Sequence, residues 1–169
     1  MKYYTYFESP LKQLLLVSDG QSLMGLDFNI HRFGLEIQPD WQKAAYAAPF
    51  PRVKQQLAAY FAGELQTFDL PLAMEGTPFQ RLVWEKLQAI PYGKTISYRE
   101  LAGQINHPAS IRAVGGANAR NPISIIVPCH RVIGSDGSLT GYGGGIEAKA
   151  ALLKFEAGEH KWTKRITKD

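Results

Sequence analysis

A single cysteine among 169 residues removes several chemistries at once. One thiol makes no internal disulfide, no Cys-x-x-Cys redox pair and no cysteine-rich zinc site. Histidine is scarce too. His31, His107 and His160 stand isolated, without metal-ligand spacing, and read as surface or turn residues, so neither metal nor cofactor is expected. No apolar run approaches the roughly 20 residues of a membrane span. The start, Met1-Lys2-Tyr3-Tyr4-Thr5, lacks the apolar region of a secretory signal. A lone thiol without such a signal is expected in a reducing cytoplasm. Internal repeats and low-complexity tracts are also missing. The run Gly141-Tyr142-Gly143-Gly144-Gly145 is no phosphate loop. No Lys-Ser/Thr follows it, and no acidic residue stands about twenty positions on. It reads as a pliable loop with one aromatic, suited to closing over a flat ring.

What is present is ordinary in bulk and uneven in detail. The length suits one large domain or two small ones, and the apolar share of 45% and charged share of 20% fit a globular chain. The net charge of +4 hides an asymmetry: residues 1–75 carry 6 Lys+Arg against 8 Asp+Glu, and residues 76–169 carry 13 against 7. A basic second half beside a mildly acidic first suggests contact with a polyanion, although a solvated surface gives the same count.

The first thirty residues predict a β-meander, with runs Lys2–Phe7, Leu11–Ser18 and Ser22–Ile30 and a turn at Asp19-Gly20. Residues 31–50 show no period and read as connecting structure. Pro51 opens a helix with Val53, Leu57 and Tyr60 or Phe61 as its apolar stripe and Gly63 as its stop. The stretch 70–76 reads as a linker, which places a domain boundary between residues 75 and 76. Beyond it, Thr77-Pro78-Phe79-Gln80 carries an N-cap, a proline at the first helical position and a capping-box glutamine, for a helix running to Ile90 and stopped by Pro91. Ser97-Tyr98-Arg99-Glu100 caps a short helix ending near His107-Pro108, and another spans Ala109 to Ala119. Two short helices joined by a tight turn resemble a helix-turn-helix. A last helix covers Ile146 to Glu156 and ends at Gly158.

The chemistry centres on Pro128-Cys129-His130-Arg131, which follows an apolar run, Ile123 to Val127, that reads as a short buried strand. A thiol attacks as its thiolate and needs a neighbouring base or positive charge. In an extended segment His130 reaches Cys129 only if the chain bends, or through a water. A lone cysteine is more often plain packing, and the surrounding residues argue otherwise. Glu156 falls on or beside the apolar face set by Leu152 and Leu153. A carboxylate there needs a partner: a lysine or arginine, or His130, which it would orient as in a triad. Spacing leaves both open. Arg112-Ala113-Val114-Gly115-Gly116-Ala117-Asn118 puts two glycines inside a helix at roughly 1 kcal/mol each. Such small residues permit close approach to another helix or to a nucleic-acid groove, and Arg112 in the basic half favours the latter.

Taken together these residues resemble the O6-alkylguanine-DNA alkyltransferase family, the methylated-DNA–protein-cysteine methyltransferases. The resemblance runs through Thr77–Gln80, Ser97-Tyr98, Arg112–Ala117, Asn121-Pro122, Pro128–Gly134, Gly141–Gly145, Lys149 and Leu152-Leu153 before Glu156. It covers nearly all of residues 76–169, with the Pro-Cys-His-Arg core its most specific part. It implies Cys129 as alkyl acceptor, His130 as the base that takes the thiol proton through a water, and Glu156 as the carboxylate that holds the base. It implies Asn121 as the asparagine that ties the recognition helix to the cysteine segment. Tyr98 matches the tyrosine that crowds the 3′ phosphate and assists the leaving guanine, and Arg112 the arginine that fills the stack when a base is flipped out. Val132 and Tyr142 line the pocket; Gly143 stands where some members have serine, which leaves a backbone N–H but no hydroxyl to face O6. Arg99, Ala113, Gly115 and Arg131 complete the expected DNA contacts.

The resemblance further implies double-stranded DNA as partner, a monomer, and two domains. The first is a ribonuclease H-like α/β domain with a small antiparallel sheet; the second is mainly helical, of winged helix-turn-helix character. Transfer would be irreversible, single-turnover, from O6 of guanine and less well from O4 of thymine. A cysteine hydrolase using the same three residues would instead turn over. A non-catalytic relative would lack Cys129, and a sequence-reading regulator is disfavoured by the bare surface of Ala113, Gly115 and Ala117.

Overall fold

The aliphatic and aromatic runs at the chain's start pair as their pattern predicts. In the computed structural model, which describes residues 1–28, 35–105, 110–142 and 144–162, β1 (Tyr3–Glu8), β2 (Gln13–Ser18) and β3 (Leu23–Phe28) form an antiparallel meander. The second turn is set by Asp19, whose Oδ1 accepts the amides of Gln21 and Ser22 at 2.9 and 2.8 Å, while Gly20 takes a φ of +94° that suits glycine. The connecting segment supplies one unexpected element. Gln42–Lys43 forms β4, parallel to β1, so the sheet runs β3-β2-β1-β4 and is mixed rather than antiparallel throughout. A two-residue exposed edge has no apolar period to betray it.

α1 (Phe50–Phe61) buries Phe50, Val53, Leu57, Tyr60 and Phe61, the stripe read from sequence, and Gly63 follows its end at a φ of +79°. The stretch after it is more ordered than a linker. Leu23 of β3 donates to Pro71 at 2.8 Å and accepts from Ala73 at 2.9 Å, so Leu72 extends the open edge of β3.

The remainder is mainly helical. α2 (Pro78–Leu87) opens with a reciprocal capping box between Thr77 and Gln80. It ends three residues before Ile90 because Ala89 and Ile90 continue with tighter bonds to Lys86 and Leu87 ahead of Pro91. β5 (Ile96–Ser97) leads into α3 (Tyr98–Gln104) through a second capping box, Ser97 with Glu100. α4 (Ile111–Ala119) follows; the expected end at His107-Pro108 and start at Ala109 lie outside the described residues. β6 (Val132–Ile133) pairs in parallel with β5, and α5 (Ile146–Glu156) closes the fold with Gly158 at a φ of +80°. Among the described residues no helix is long and apolar enough to cross a membrane.

One hydrophobic cluster runs through both halves, from Leu14, Leu26 and Phe28 of the sheet through Leu57 and Trp84 to Leu101, Val114 and Leu152. Each such leucine contributes about 1.5–3 kcal/mol by its burial. Trp84 also donates its indole N–H to the Ala117 carbonyl at 2.8 Å, which fastens α4 to α2 without leaving a buried donor unpaired.

Candidate active site

The apolar run before the cysteine is a turn, and this corrects the strand read from sequence. Only Ile123 pairs like a strand, with Leu26: the Leu26 amide donates to Pro122 and the Ser124 amide to Leu26, both at 2.9 Å. The chain then folds back with Ile125 at a φ of +72°. Such a backbone costs a β-branched residue about 1–3 kcal/mol and persists only where its surroundings impose it. Asn121 imposes it. Its Nδ2 donates to the carbonyls of Val127 at 2.7 Å and Ile123 at 3.3 Å, and its Oδ1 accepts the Ile123 amide at 3.0 Å. Apolarity alone does not separate a buried turn from a buried strand, and the asparagine decides.

Cys129, His130 and Arg131 then form a single 3-10 turn. Neighbouring side chains in it diverge by about 120° rather than pointing to opposite sides. His130 is fully buried, with Nε2 2.8 Å from Oε2 of Glu156. A carboxylate accepts only, so Nε2 carries the hydrogen. Nδ1 makes no hydrogen bond among the described residues and is the ring nitrogen left to take a proton. Glu156, at the end of α5, takes both partners that spacing allowed. Arg131 donates Nε to Oε1 at 2.8 Å and Nη2 to Oε2 at 3.0 Å. Its Nη1 donates to the Ile90 carbonyl at 2.7 Å. Arg131 therefore faces inward and is not free to touch DNA. A guanidinium aimed at a buried carboxylate is held there by charge and by its fork geometry.

Electrostatics define the resting state. Burial pushes the Cys129 thiol up to about 11, against smaller lowering contributions from Asn121 and the Lys149 charge. The thiol thus rests protonated, and a base must take its proton during reaction. Burial also lowers His130 below its ordinary value although Glu156 pulls it upward, so the imidazole is neutral at pH 7 and able to accept. Burial alone would raise Glu156; the hydrogen bonds and charges of His130 and Arg131 outweigh it and hold the carboxyl well below its usual range.

The other expected residues divide between buried neighbours of this centre and the surface of α3 and α4. Val132 is buried in β6 beside the cysteine turn. Tyr142 is buried and stands edge-on to the rings of His130 and Phe28, with centroids 6.3 and 5.8 Å apart. Tyr98 is half-buried; its hydroxyl donates to the Thr140 carbonyl at 3.2 Å and its ring faces Gly115, where an added Cβ would lie 3.9 Å away. Arg99, Arg112 and Ala113 are exposed on α3 and α4, while Ala117 of the small-residue face points into the core. Gly143 lies outside the described residues. Gly144 packs so closely that a Cβ would sit 2.7 Å from the Phe28 ring.

Three residues to which the sequence reading gave no role at the site are part of it. Asn118 donates to the Cys129 carbonyl at 3.4 Å. Lys149 is fully buried on α5, donates to Thr140 at 2.9 Å and lies 5.7 Å from the centre of the Tyr98 ring. Burial lowers it to about 8 while Cys129 pulls it upward. Its spacing of three and seven residues before Leu152 and Glu156 was the available signal. The third is Tyr60, whose hydroxyl donates to Oε2 of Glu156 at 2.6 Å.

Comparison with known proteins fits this arrangement. Residues 2–74 match the ribonuclease-like domain of 6-O-methylguanine DNA methyltransferase, and residues 78–158 match its DNA binding domain. The chain is 47% identical over 155 residues to a methylated-DNA–protein-cysteine methyltransferase of Haemophilus influenzae, covering 91% of this chain and 86% of that one. It is 51% identical over 154 residues to the Methanosarcina barkeri protein of the same name, covering 91% and 96%. A crystal structure of Mycobacterium tuberculosis OGT in complex with DNA superposes with a TM-score of 0.87 at 46% identity, covering 94% of this chain and 95% of that one.

Proposed function

Because the chain belongs to the 6-O-methylguanine DNA methyltransferase family, we propose that Cys129 is its alkyl acceptor and that His130, Glu156 and Asn121 ready the thiol. The protein repairs DNA directly, moving the alkyl group from O6 of guanine to a cysteine of its own chain, and one observation carries the assignment: there is only one cysteine to receive it. That cysteine is 5% exposed and adjoins a neutral histidine held by a buried carboxylate.

A base within a duplex cannot reach a buried thiol, so the alkylated guanine is flipped out at a cost of a few kcal/mol. Exposed Arg112, on a helix bare enough to sit close in the groove, fills the vacated stack. Arg99, Ala113, Gly115 and Tyr98 contact the same duplex, and Val132 and Tyr142 bound the base pocket. The thiol proton passes through a water to Nδ1 of His130. Sγ then attacks the alkyl carbon in-line, the S–C bond forms as the C–O6 bond breaks, and guanine leaves with the electron pair and takes at N1 the proton that His130 received from the thiol. Glu156 stabilises the imidazolium that forms meanwhile. The thioether has no labile bond and no second thiol to resolve it, so each molecule acts once. Transfer from O4 of thymine is the slower variant of the same step.

The finer architecture belongs to this reading. Residues 1–75 form a ribonuclease H-like supporting domain and residues 76–169 a domain of winged helix-turn-helix character, with α3 and α4 as the helix pair. The protein works as a monomer in the cytoplasm, where a lone thiol stays reduced.

A duplex oligonucleotide carrying O6-methylguanine tests the assignment. It should leave one methyl group per chain, on the peptide containing Cys129, and none on Cys129→Ser. Methyl found elsewhere, repair by the serine variant, or product beyond one equivalent refutes it.

A further inference from the structure

Oε2 of Glu156 accepts from three side chains, and one of them comes from the first half of the chain. Tyr60 of α1 is fully buried, with its hydroxyl 2.6 Å from Oε2; His130 Nε2 and Arg131 Nη2 stand at 2.8 and 3.0 Å. Its ring is fixed by four others, Phe61, Phe68, Phe155 and Tyr92, with centroids 5.1, 5.4, 5.6 and 6.2 Å away. Packing of that kind asks only for a phenyl ring. The hydroxyl is an added polar group that must be desolvated, and its sole use here is the bond to the carboxylate.

We infer that Tyr60 is a positioning residue for the transfer reaction: its hydroxyl, delivered by α1, fixes the Glu156 carboxylate that orients His130. The inference rests on the roles assigned above to Glu156 and His130. Three donors converging on one oxygen leave the carboxylate a single orientation, and each draws charge away from the others. Removing the phenol leaves Oε2 to His130 and Arg131 alone, and the carboxylate then holds an imidazolium more tightly. The charged and titratable groups around the pair are Arg131, Tyr60 and Tyr92 beside Glu156, with Lys149 and Tyr142 beside His130. All but Tyr60 remain unchanged in Tyr60→Phe.

The test is the pH dependence of methyl transfer from an O6-methylguanine duplex, measured in single turnover for the wild type and Tyr60→Phe. Transfer needs neutral His130 and is lost as pH falls through that group's titration. A histidine that binds its proton more tightly loses activity at higher pH. The acid limb of the variant is therefore expected to move up by about half to one pH unit, with the rate on the plateau altered less than about threefold. A ring that merely packs would change stability and leave the midpoint in place, so an unmoved midpoint overturns the inference while leaving the acceptor assignment intact. Absence of any methyl on Cys129 in the wild type would remove both. If the variant fails to fold, the wild type still decides: a phenolic proton held at 2.6 Å should give a low-field, slowly exchanging proton resonance assigned to Tyr60. A rapidly exchanging hydroxyl there refutes the role.

Discussion

Replacing Glu156 with glutamine perturbs the centre with almost no change of shape. Every neighbour of the carboxylate is a donor: Tyr60, His130, and Arg131 through two nitrogens. One amide oxygen can still serve Tyr60 and His130, but the amide nitrogen then meets Arg131 Nε, donor against donor. Losing one partner of a buried pair costs about 3–5 kcal/mol. Arg131 keeps the Ile90 carbonyl at 2.7 Å and the face of Tyr92 at 5.6 Å, which places the loss at the lower end, about 3–4 kcal/mol. For a chain of this size that lowers Tm by roughly 6–16 °C. The sign with pH follows from the two titrating groups. Glu156 is depressed from its ordinary 4.5, so its stabilisation is complete above that value and fades as pH falls below it. His130 is lowered from its ordinary 6.5, so both proteins lose stability on acidification below that, the variant more because the carboxylate that favoured the imidazolium is gone. The gap measured by urea unfolding should be full at pH 7, should not narrow down to about pH 4.5, and should shrink below. Adding Arg131→Met to Glu156→Gln should cost less than the two single losses summed, since the second change removes the stranded cation. A loss under about 1 kcal/mol at pH 7, or strict additivity, would refute the argument.

Two further outcomes are expected. Arg112→Ala should slow repair of duplex DNA about tenfold, some 1.4 kcal/mol, while reaction with free O6-methylguanine base changes little; equal losses in stopped-flow assays of both substrates would count against the wedge role. Gly144→Ala forces a methyl to within 2.7 Å of the Phe28 ring, and overpacking of this kind costs about 1–3 kcal/mol. Transfer should slow as Tyr142 shifts, and Phe28→Leu in the same chain should restore part of the rate; an unchanged rate and Tm would refute the packing argument.

Elements announced by capping and period were readable in advance. The Thr77 and Ser97 boxes, the stripe of α1 and the limits of α5 all declare themselves through neighbours three and four residues apart. Features set by particular side-chain hydrogen bonds did not. Ile123 to Val127 has a strand's composition, and its turn is imposed by Asn121 through bonds that composition does not encode. Arg131 carries the chemistry of a phosphate contact, and its inward direction follows from the Glu156 carboxylate 25 residues away. Tyr60 was legible as a core residue; that its hydroxyl ends on the same carboxylate, 96 positions on, is a product of the assembled fold. Lys149 stood in the resemblance without a role of its own, although a charged residue on the buried face of a helix was a local signal for one.

The free edge of β3 holds a strip from each side of residue 75, Pro71–Ala73 at Leu23 and Pro122–Ser124 at Leu26. A chain clipped near that point would therefore not fall into two independent pieces. The nick would leave backbone ladders and a shared oily interior still closed across it, and the fragments would travel as one particle. Covalent continuity and physical unity are separate properties in this molecule, and the second resides in a six-residue strand that carries none of the reacting atoms.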